Sequence, residues 1–200
     1  MPSNFLKLAV TESVRKAQRH YFGCSPAFSG APEPDPLTPD ETTFIQARDS
    51  FYLATVSETG WPYIQHRGGR PGFLRVLNPQ ELAFADYRGN RQMLSTGNLA
   101  ANDKVALFLM DYPQRTRLKI LGHARVEDAR DHPELIRQLA EPDVQRMVER
   151  LFFIKVESFD WNCPKYITPR YTAEEIQELV APLKARIAEL EAKLQSSLSM

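Results

Sequence analysis

The stretch PYIQHRGGRPGFLRVL, residues 62–77, decides the fold. It opens as a strand, breaks into a segment holding Arg67, Gly68, Gly69, Arg70 and Gly72, and resumes as a strand that carries Arg75. Upstream, FYLATV (51–56) is β-branched and aromatic, SETG (57–60) has turn chemistry, and WPYIQHR (61–67) follows as a partner, so a hairpin is expected. Downstream, GFLRVL (72–77), a turn at NPQ (78–80) and ELAFAD (81–86) make a second hairpin. KVALFLM (104–110) is a continuous apolar run, suited to a strand buried on both faces. In RTRLKILGHARVED (115–128), Leu118, Ile120, Ala124 and Val126 point one way and Arg117, Lys119, His123 and Arg125 the other. LFFIKVESFDW (151–161) is the last strand. Some six short strands joined largely by hairpins predict an antiparallel sheet that closes on itself, because a small barrel removes exposed edges.

Helices flank this sheet. Val10, Val14, Ala17 and Tyr21 lie on one helical face. GCSPAFSGAPEPDP (23–36) is dense in Pro, Gly and Ser and reads as an irregular arm. Thr38, Pro39 and Glu41 form a helix start with a capping box, and that helix should end near Asp49. A short helix is expected at 91–101, with Met93, Leu94, Gly97 and Ala101 on one face and Asn90 as its N-cap. A helical pair is expected over 132–149. At the C-terminus Thr172 and Glu175 form a second capping-box pair. Beyond it Ile176, Val180, Leu183, Ile187, Leu190 and Leu194 make an a/d stripe over nearly three heptads, with Pro182 inside it to kink or restart the helix. That helix packs either on its own barrel or on a second subunit. The expected domains are 1–39, an N-terminal helix and Pro-rich arm; 40–170, the barrel; and 171–200, the C-terminal helix.

The 200 residues suffice for one domain with a proper core. Lysine plus arginine equals aspartate plus glutamate, 25 each, which argues against nucleic acid or an anionic membrane as partner. Any anion site must therefore be local. The two cysteines, Cys24 and Cys163, form neither a disulfide framework nor a metal-ligand spacing. The four histidines show no H-x-x-x-H or H-E-x-x-H spacing, so no metal is expected. The N-terminus lacks an apolar leader and no apolar run is long enough to span a membrane, so a cytoplasmic protein is expected.

Three polar clusters fall on or near the strands: His66 to Gly72 with Arg75; DYRGNRQ, residues 86–92; and Arg117 with Lys119. Guanidiniums match phosphate oxygens as planar forks, and glycines let backbone N–H groups reach a ligand. A helix start after Asn90, with Arg91 in its first turn, is a phosphate seat. Together these residues point to one anion site; taken singly, each cluster also reads as surface arginines paired with acids beside ordinary turn glycines. The spacing GGRPG matches neither a P-loop nor G-x-G-x-x-G.

The run from DSFYLATVSETGWPYIQHRGGRPGFLRVL through LAFADYRGNRQMLSTGNLAANDKVALFLMDY to RLKILGHARVED resembles the pyridoxamine 5′-phosphate oxidase-like flavoproteins, in the branch described as flavin-nucleotide-binding proteins. DWNCPKYITPR (160–170) also looks like a feature of that branch, and the resemblance covers about residues 40–170. It implies a mainly β fold with flanking helices, a six-stranded antiparallel split barrel. It also implies a homodimer with FMN in the interface between subunits. The family's Arg-x-x-x-x-Lys segment corresponds to Arg70–Arg75, its aromatic-threonine pair to Ala85 and Asp86, and its Gly-Ser-Arg-Lys turn to Gly89, Asn90, Arg91 and Gln92. A flavin-contacting glutamine corresponds to Arg117.

On this basis the cofactor-binding residues expected are His66, Arg67, Gly68, Arg70, Pro71, Gly72, Phe73, Leu74, Arg75, Ala85, Asp86, Asn90, Arg91, Gln92, Arg117 and Lys119. Arg67, Arg75, Asn90 and Arg91 would hold the phosphate, and backbone from Pro71 to Leu74 would run along the flavin ring. Arg117 or Lys119 would lie near its N1–C2=O region. No protein residue needs to be a covalent catalyst. The implied activity is an FMN-dependent oxidoreductase acting on an unidentified small substrate. Alternatives are a pyridoxamine 5′-phosphate oxidase proper, a non-catalytic flavin carrier or sensor, and a split barrel binding haem or a deazaflavin.

Overall fold

The first hairpin forms where its turn chemistry places it. Strand β1 (Ser50–Val56) pairs antiparallel with β2 (Pro62–Gly68), the ladder running from Ser50↔Gly68 to Val56↔Pro62. The structure, a computed structural model, describes residues 4–161 and 164–198; Cys163 lies outside them. Strands β3 (Arg75–Asn78) and β4 (Glu81–Tyr87) form the second hairpin, and β5 (Lys104–Asp111), β6 (Thr116–Asp128) and β7 (Val148–Trp161) complete one sheet. Its order is β2-β1-β5-β6-β7-β4-β3. The sheet thus has seven strands rather than six, and it is open, with β2 and β3 at its ends.

The open sheet is nevertheless rolled. Phe51 on β1 meets Phe84 on β4 edge-on at 5.4 Å between ring centres. Arg67 on β2 forms an ion pair with Asp86 on β4. Strands far apart in the order touch only if the two ends fold over each other, which is the geometry of a split barrel. The core inside the roll contains Phe51, Leu53, Leu82, Phe84, Leu107, Leu118, Ile120, Phe152 and Ile154. A second, smaller cluster on the other face of β4 and β7 holds Ala83, Ala85, Leu151 and Phe153 under Leu139 and Ala140. The apolar run of β5 buries one face and not both: Val105, Leu107 and Leu109 are buried, while the residues between them are only partly covered.

Helices α1 (Asn4–Ala9) and α2 (Glu12–Phe22) replace the single N-terminal helix expected. Thr11 interrupts the chain because its hydroxyl accepts from the Val14 N–H and restarts it as an N-cap. Of the expected face only Val10 is buried; Tyr21 is 77 % exposed. The Pro-rich arm is irregular and tied to β7, with the Asp35 N–H donating to the Glu157 carbonyl at 3.0 Å and the Ser158 hydroxyl to the Asp35 carboxylate at 2.6 Å. Helix α3 (Pro39–Gln46) has the full Thr38/Glu41 capping box. Buried Glu41 also accepts from the Trp161 indole at 2.6 Å, which fastens α3 to the end of β7.

Helix α4 (Leu94–Ala101) starts three residues later than the sequence pattern placed it, and it buries Ser95 and Leu99 rather than Met93 and Leu94. The expected helical pair over 132–149 is one helix, α5 (Pro133–Leu139), and a short 3-10 turn at Gln145–Met147; β7 then begins at Val148.

The chain divides into two compact units, Met1–Met110 with Arg117–Cys163, and Asp111–Thr116 with Pro164–Met200. In the second, Arg170 stacks over the Tyr112 ring at 4.9 Å. Helix α6 (Ala173–Leu198) is entered through the expected box: the Thr172 N–H donates to Glu175 and the Glu175 N–H to Thr172. It runs through Pro182 as one helix.

Candidate functional site

Arg67 is the hinge of the site. Its position on β2 opposite Phe51 turns its side chain into the roll, where the guanidinium lies 5.0 Å from the Phe152 ring centre and 5.5 Å from that of Phe84. There it pairs with Asp86, whose second oxygen takes the Arg150 Nε at 2.8 Å and Nη2 at 2.7 Å. The three side chains are 13, 8 and 17 % exposed, so one carboxylate is shared by two largely buried cations, of which Arg150 also reaches Glu149 at 3.2 Å. The Arg67 Nε–H is buried and has no hydrogen-bond partner among the described residues.

This cluster floors a cleft of about 200 Å³. Asn90, Arg91 and Gln92 border it, with Tyr63, Gln65 and Tyr87, and the first residues of α4, Leu94, Ser95 and Thr96, close it. The turn leading to the helix is unusual: Arg91 and Met93 both hold positive φ, at 59° and 58°. Strain of this kind in non-glycine residues gathers at ligand sites. Asn90 does not cap the helix. Its side chain accepts from the Gln92 N–H at 3.1 Å, and Met93 occupies the cap position with no side-chain hydrogen bond. The first N–H groups of α4 therefore lack a side-chain cap at the edge of a cleft lined by three guanidiniums and one carboxylate. Ser95 donates to Gln65 at 2.9 Å and Asn98 to Thr55 at 2.9 Å, locking this helix start to β2 and β1.

Arg91 also reaches Glu149 at 3.2 Å. Partial desolvation acts to raise the Glu149 carboxyl, but the Arg91 hydrogen bond and the charges of Arg91 and Arg150 outweigh it and hold the group below its ordinary range.

Arg70, Pro71, Gly72, Phe73 and Arg75 line a second hollow, of about 300 Å³, against Arg137, Leu139 and Val144. Tyr87 lines both hollows, so they adjoin. The glycines have a different task from the one expected. The Gly69 N–H donates to the Asp49 carbonyl at 2.8 Å and the Gly72 N–H to that of Arg48 at 3.2 Å. A Cβ on Gly69 would lie 2.7 Å from Phe73, and Gly72 sits at φ +82. These residues bend the chain onto the loop before β1; their N–H groups are engaged within the protein instead of facing a ligand.

The other expected residues are dispersed. Leu74 and Ala85 are core residues, on the inner and outer clusters respectively. His66 and Gly68 are exposed on β2, with His66 edge-on to Tyr52. Arg117 lies over Phe108 with its Nε buried and unpartnered among the described residues, and Lys119 pairs with Asp160 at 2.7 Å and lies over Phe5. Neither lines the two hollows. Arg150, at the cleft floor, escaped the sequence reading because the last strand was read from Leu151; its place two residues before Phe152 and four before Ile154, on the inward phase of that strand, was the available signal.

Among the described residues no group of His, Cys, Asp and Glu is arranged to hold a metal, and no helix is long and apolar enough to cross a membrane.

A rolled open antiparallel sheet with a cationic cleft at the start of a short helix is the form of a split-barrel protein. The chain belongs to the pyridoxamine 5′-phosphate oxidase family, whose model matches residues 37–158. No curated protein matches the sequence. Among solved structures, HupZ of Group A Streptococcus is 14 % identical, with 68 % of this chain and 99 % of that one covered and a TM-score of 0.50. A putative pyridoxamine 5′-phosphate oxidase from Lactobacillus delbrueckii is 22 % identical over 62 % of this chain and 93 % of that one, TM-score 0.48. An FMN-binding protein from Syntrophomonas wolfei is 11 % identical over 61 % and 83 %, TM-score 0.44. The likeness to HupZ is one of fold.

Proposed function

We propose that the protein is an FMN-binding flavoprotein, an oxidoreductase acting on a small substrate, with the FMN phosphate seated in the cleft of Arg67, Arg91 and Arg150. One observation carries this reading: the cleft floor holds two guanidiniums around a single carboxylate, with a buried Arg67 N–H that lacks a partner among the described residues. Arg67, Arg91 and Arg150 against Asp86 and Glu149 leave a net positive charge, which suits a phosphate monoester carrying about −1.5 to −2 at neutral pH. The uncapped start of α4 adds oriented N–H donors. Family membership supports a flavin phosphate over other phosphate monoesters.

In this reading Asp86 is not a ligand contact. It holds Arg67 and Arg150 in place, and Arg91 exchanges its exposed pairing with Glu149 for the incoming phosphate. The bound flavin supplies two-electron redox chemistry; the protein binds and orients it. A cleft of about 200 Å³ is smaller than the roughly 300–1,000 Å³ of whole-ligand pockets. The phosphate end fits there, and the ring extends beyond it. A second copy, packed on the open edge strand β2 where Ile64, and Trp61 just before the strand, are exposed, would complete the site.

Purified protein mixed with FMN should retain it through gel filtration and show flavin absorption bands, and a nicotinamide donor or small reductant should bleach them. Protein that passes through colourless would overturn the assignment. Uptake of haem in place of FMN would overturn it equally.

A further inference from the structure

Helix α6 has 26 residues, about 39 Å of helix, and one apolar face left open. Ile176, Leu183, Ile187, Leu190 and Leu194 are 48–63 % exposed. Counted in heptads, Val180, Ile187 and Leu194 fall at a, and Ile176, Leu183 and Leu190 at d. In the two central heptads, β-branched Val180 and Ile187 at a with Leu183 and Leu190 at d match the pattern that favours two parallel strands; Ile176 at d and Leu194 at a, at the two ends, do not add to it. The flanking charges agree. Arg186 at g faces the position of Glu191 at e of a parallel neighbour, once on each side, and no g–e′ pair brings like charges together. In antiparallel pairing g faces g and sets Arg186 against Lys193, while e faces e and sets Lys184 against Glu191, so repulsion offsets attraction and the parallel arrangement is the better matched. Pro182 falls at c, away from the seam.

We propose that α6 pairs with α6 of a second copy as a parallel, in-register two-stranded coiled coil. This pairing needs no flavin and holds whether or not flavin is bound. Three heptads make a modest contact alone, so barrel and helix contacts reinforce each other by raising local concentration.

Cysteine scanning in the full-length protein, with Cys24→Ser and Cys163→Ser as background, tests orientation and register together. Ile176→Cys and Leu190→Cys, fourteen residues apart on the d line, should each form an intermolecular disulfide under mild oxidation, because d side chains of a parallel pair sit within disulfide reach. Ala185→Cys at the outward f position should stay monomeric on denaturing gels. Adding Leu183→Glu should suppress both cross-links while the circular dichroism of the barrel is retained. Cross-linking at only one of the two d positions, or at neither, would mean that the helices do not pair in parallel and in register, since in an antiparallel pair d faces a and self-contacts cannot recur fourteen residues apart. Cross-linking that survives Leu183→Glu would mean that α6 does not pair through this seam. Each of these outcomes overturns the proposal.

Discussion

Replacing Asp86 by asparagine removes the one carboxylate between two guanidiniums while preserving shape. At 13, 8 and 17 % exposure for Arg67, Asp86 and Arg150, solvent screens little of what is left behind. Removing one partner of a buried ion pair costs about 3–5 kcal/mol. Because the cluster keeps one side toward the cleft, the lower end applies, about 3 kcal/mol. For a chain of this size that is a fall of about 6–12 °C in melting temperature. Thermal denaturation followed by circular dichroism in a phosphate-free buffer measures it. Millimolar inorganic phosphate should then recover part of the loss in Asp86→Asn, since an anion that binds the folded state stabilises it. The double variant Asp86→Asn/Arg67→Met should be more stable than Asp86→Asn alone, because Arg67 loses its ion pair with Asp86 whereas Arg150 keeps Glu149 at 3.2 Å. A single variant that melts within about 2 °C of the parent would refute the account of Asp86 as the holder of both arginines.

Three further outcomes are expected. Arg91→Ala should weaken FMN binding by about 1.5–3 kcal/mol, roughly 10- to 150-fold, through loss of a charge-assisted contact, yet leave the melting temperature nearly unchanged because its pairing with Glu149 is exposed; unchanged affinity in fluorescence titration would place the phosphate elsewhere. Burial acts to raise the Glu41 carboxyl, but hydrogen bonds from Thr38 and Trp161 outweigh it and hold the group below its ordinary 4.5. Its contribution is therefore complete above about pH 4.5 and lost as pH falls through the lower folded value; the stability gap between parent and Glu41→Gln should shrink below pH 4.5, and a pH-independent gap would contradict this. Gly69→Ala forces a Cβ to 2.7 Å from Phe73 and should cost about 1–3 kcal/mol in denaturant unfolding; a neutral result would mean that the bend has slack.

Much of the fold was legible because the signals are local. Alternation placed β1, β2, β4 and β6 within a residue or two, and two capping boxes marked the starts of α3 and α6. The misreadings have non-local causes. The break of 62–77 looked like a ligand loop because glycine and arginine occur together there. Its glycines instead answer to the carbonyls of Arg48 and Asp49 and to the ring of Phe73, partners that only the folded chain brings near. That bend sends Arg67 to one hollow and Arg70 with Arg75 to the adjoining one. Asn90 has the composition of an N-cap, yet the turn through Arg91 and Met93 uses it three residues before the cap position. Arg150 joins the cleft only through the pairing of β7 with β4, where it lies opposite Asp86. Sequence separation hid that register.

The central claim is that the arginine cleft recognises the flavin's phosphate. Parallel calorimetric titrations with FMN and with riboflavin, which has the same ring system and no phosphate, test it most directly. The account predicts that FMN binds at least about 100-fold more tightly than riboflavin, a difference of about 2.7 kcal/mol, and that Arg67→Met or Arg91→Ala narrows the gap. Equal affinity for the two ligands, or no binding of either, would contradict it.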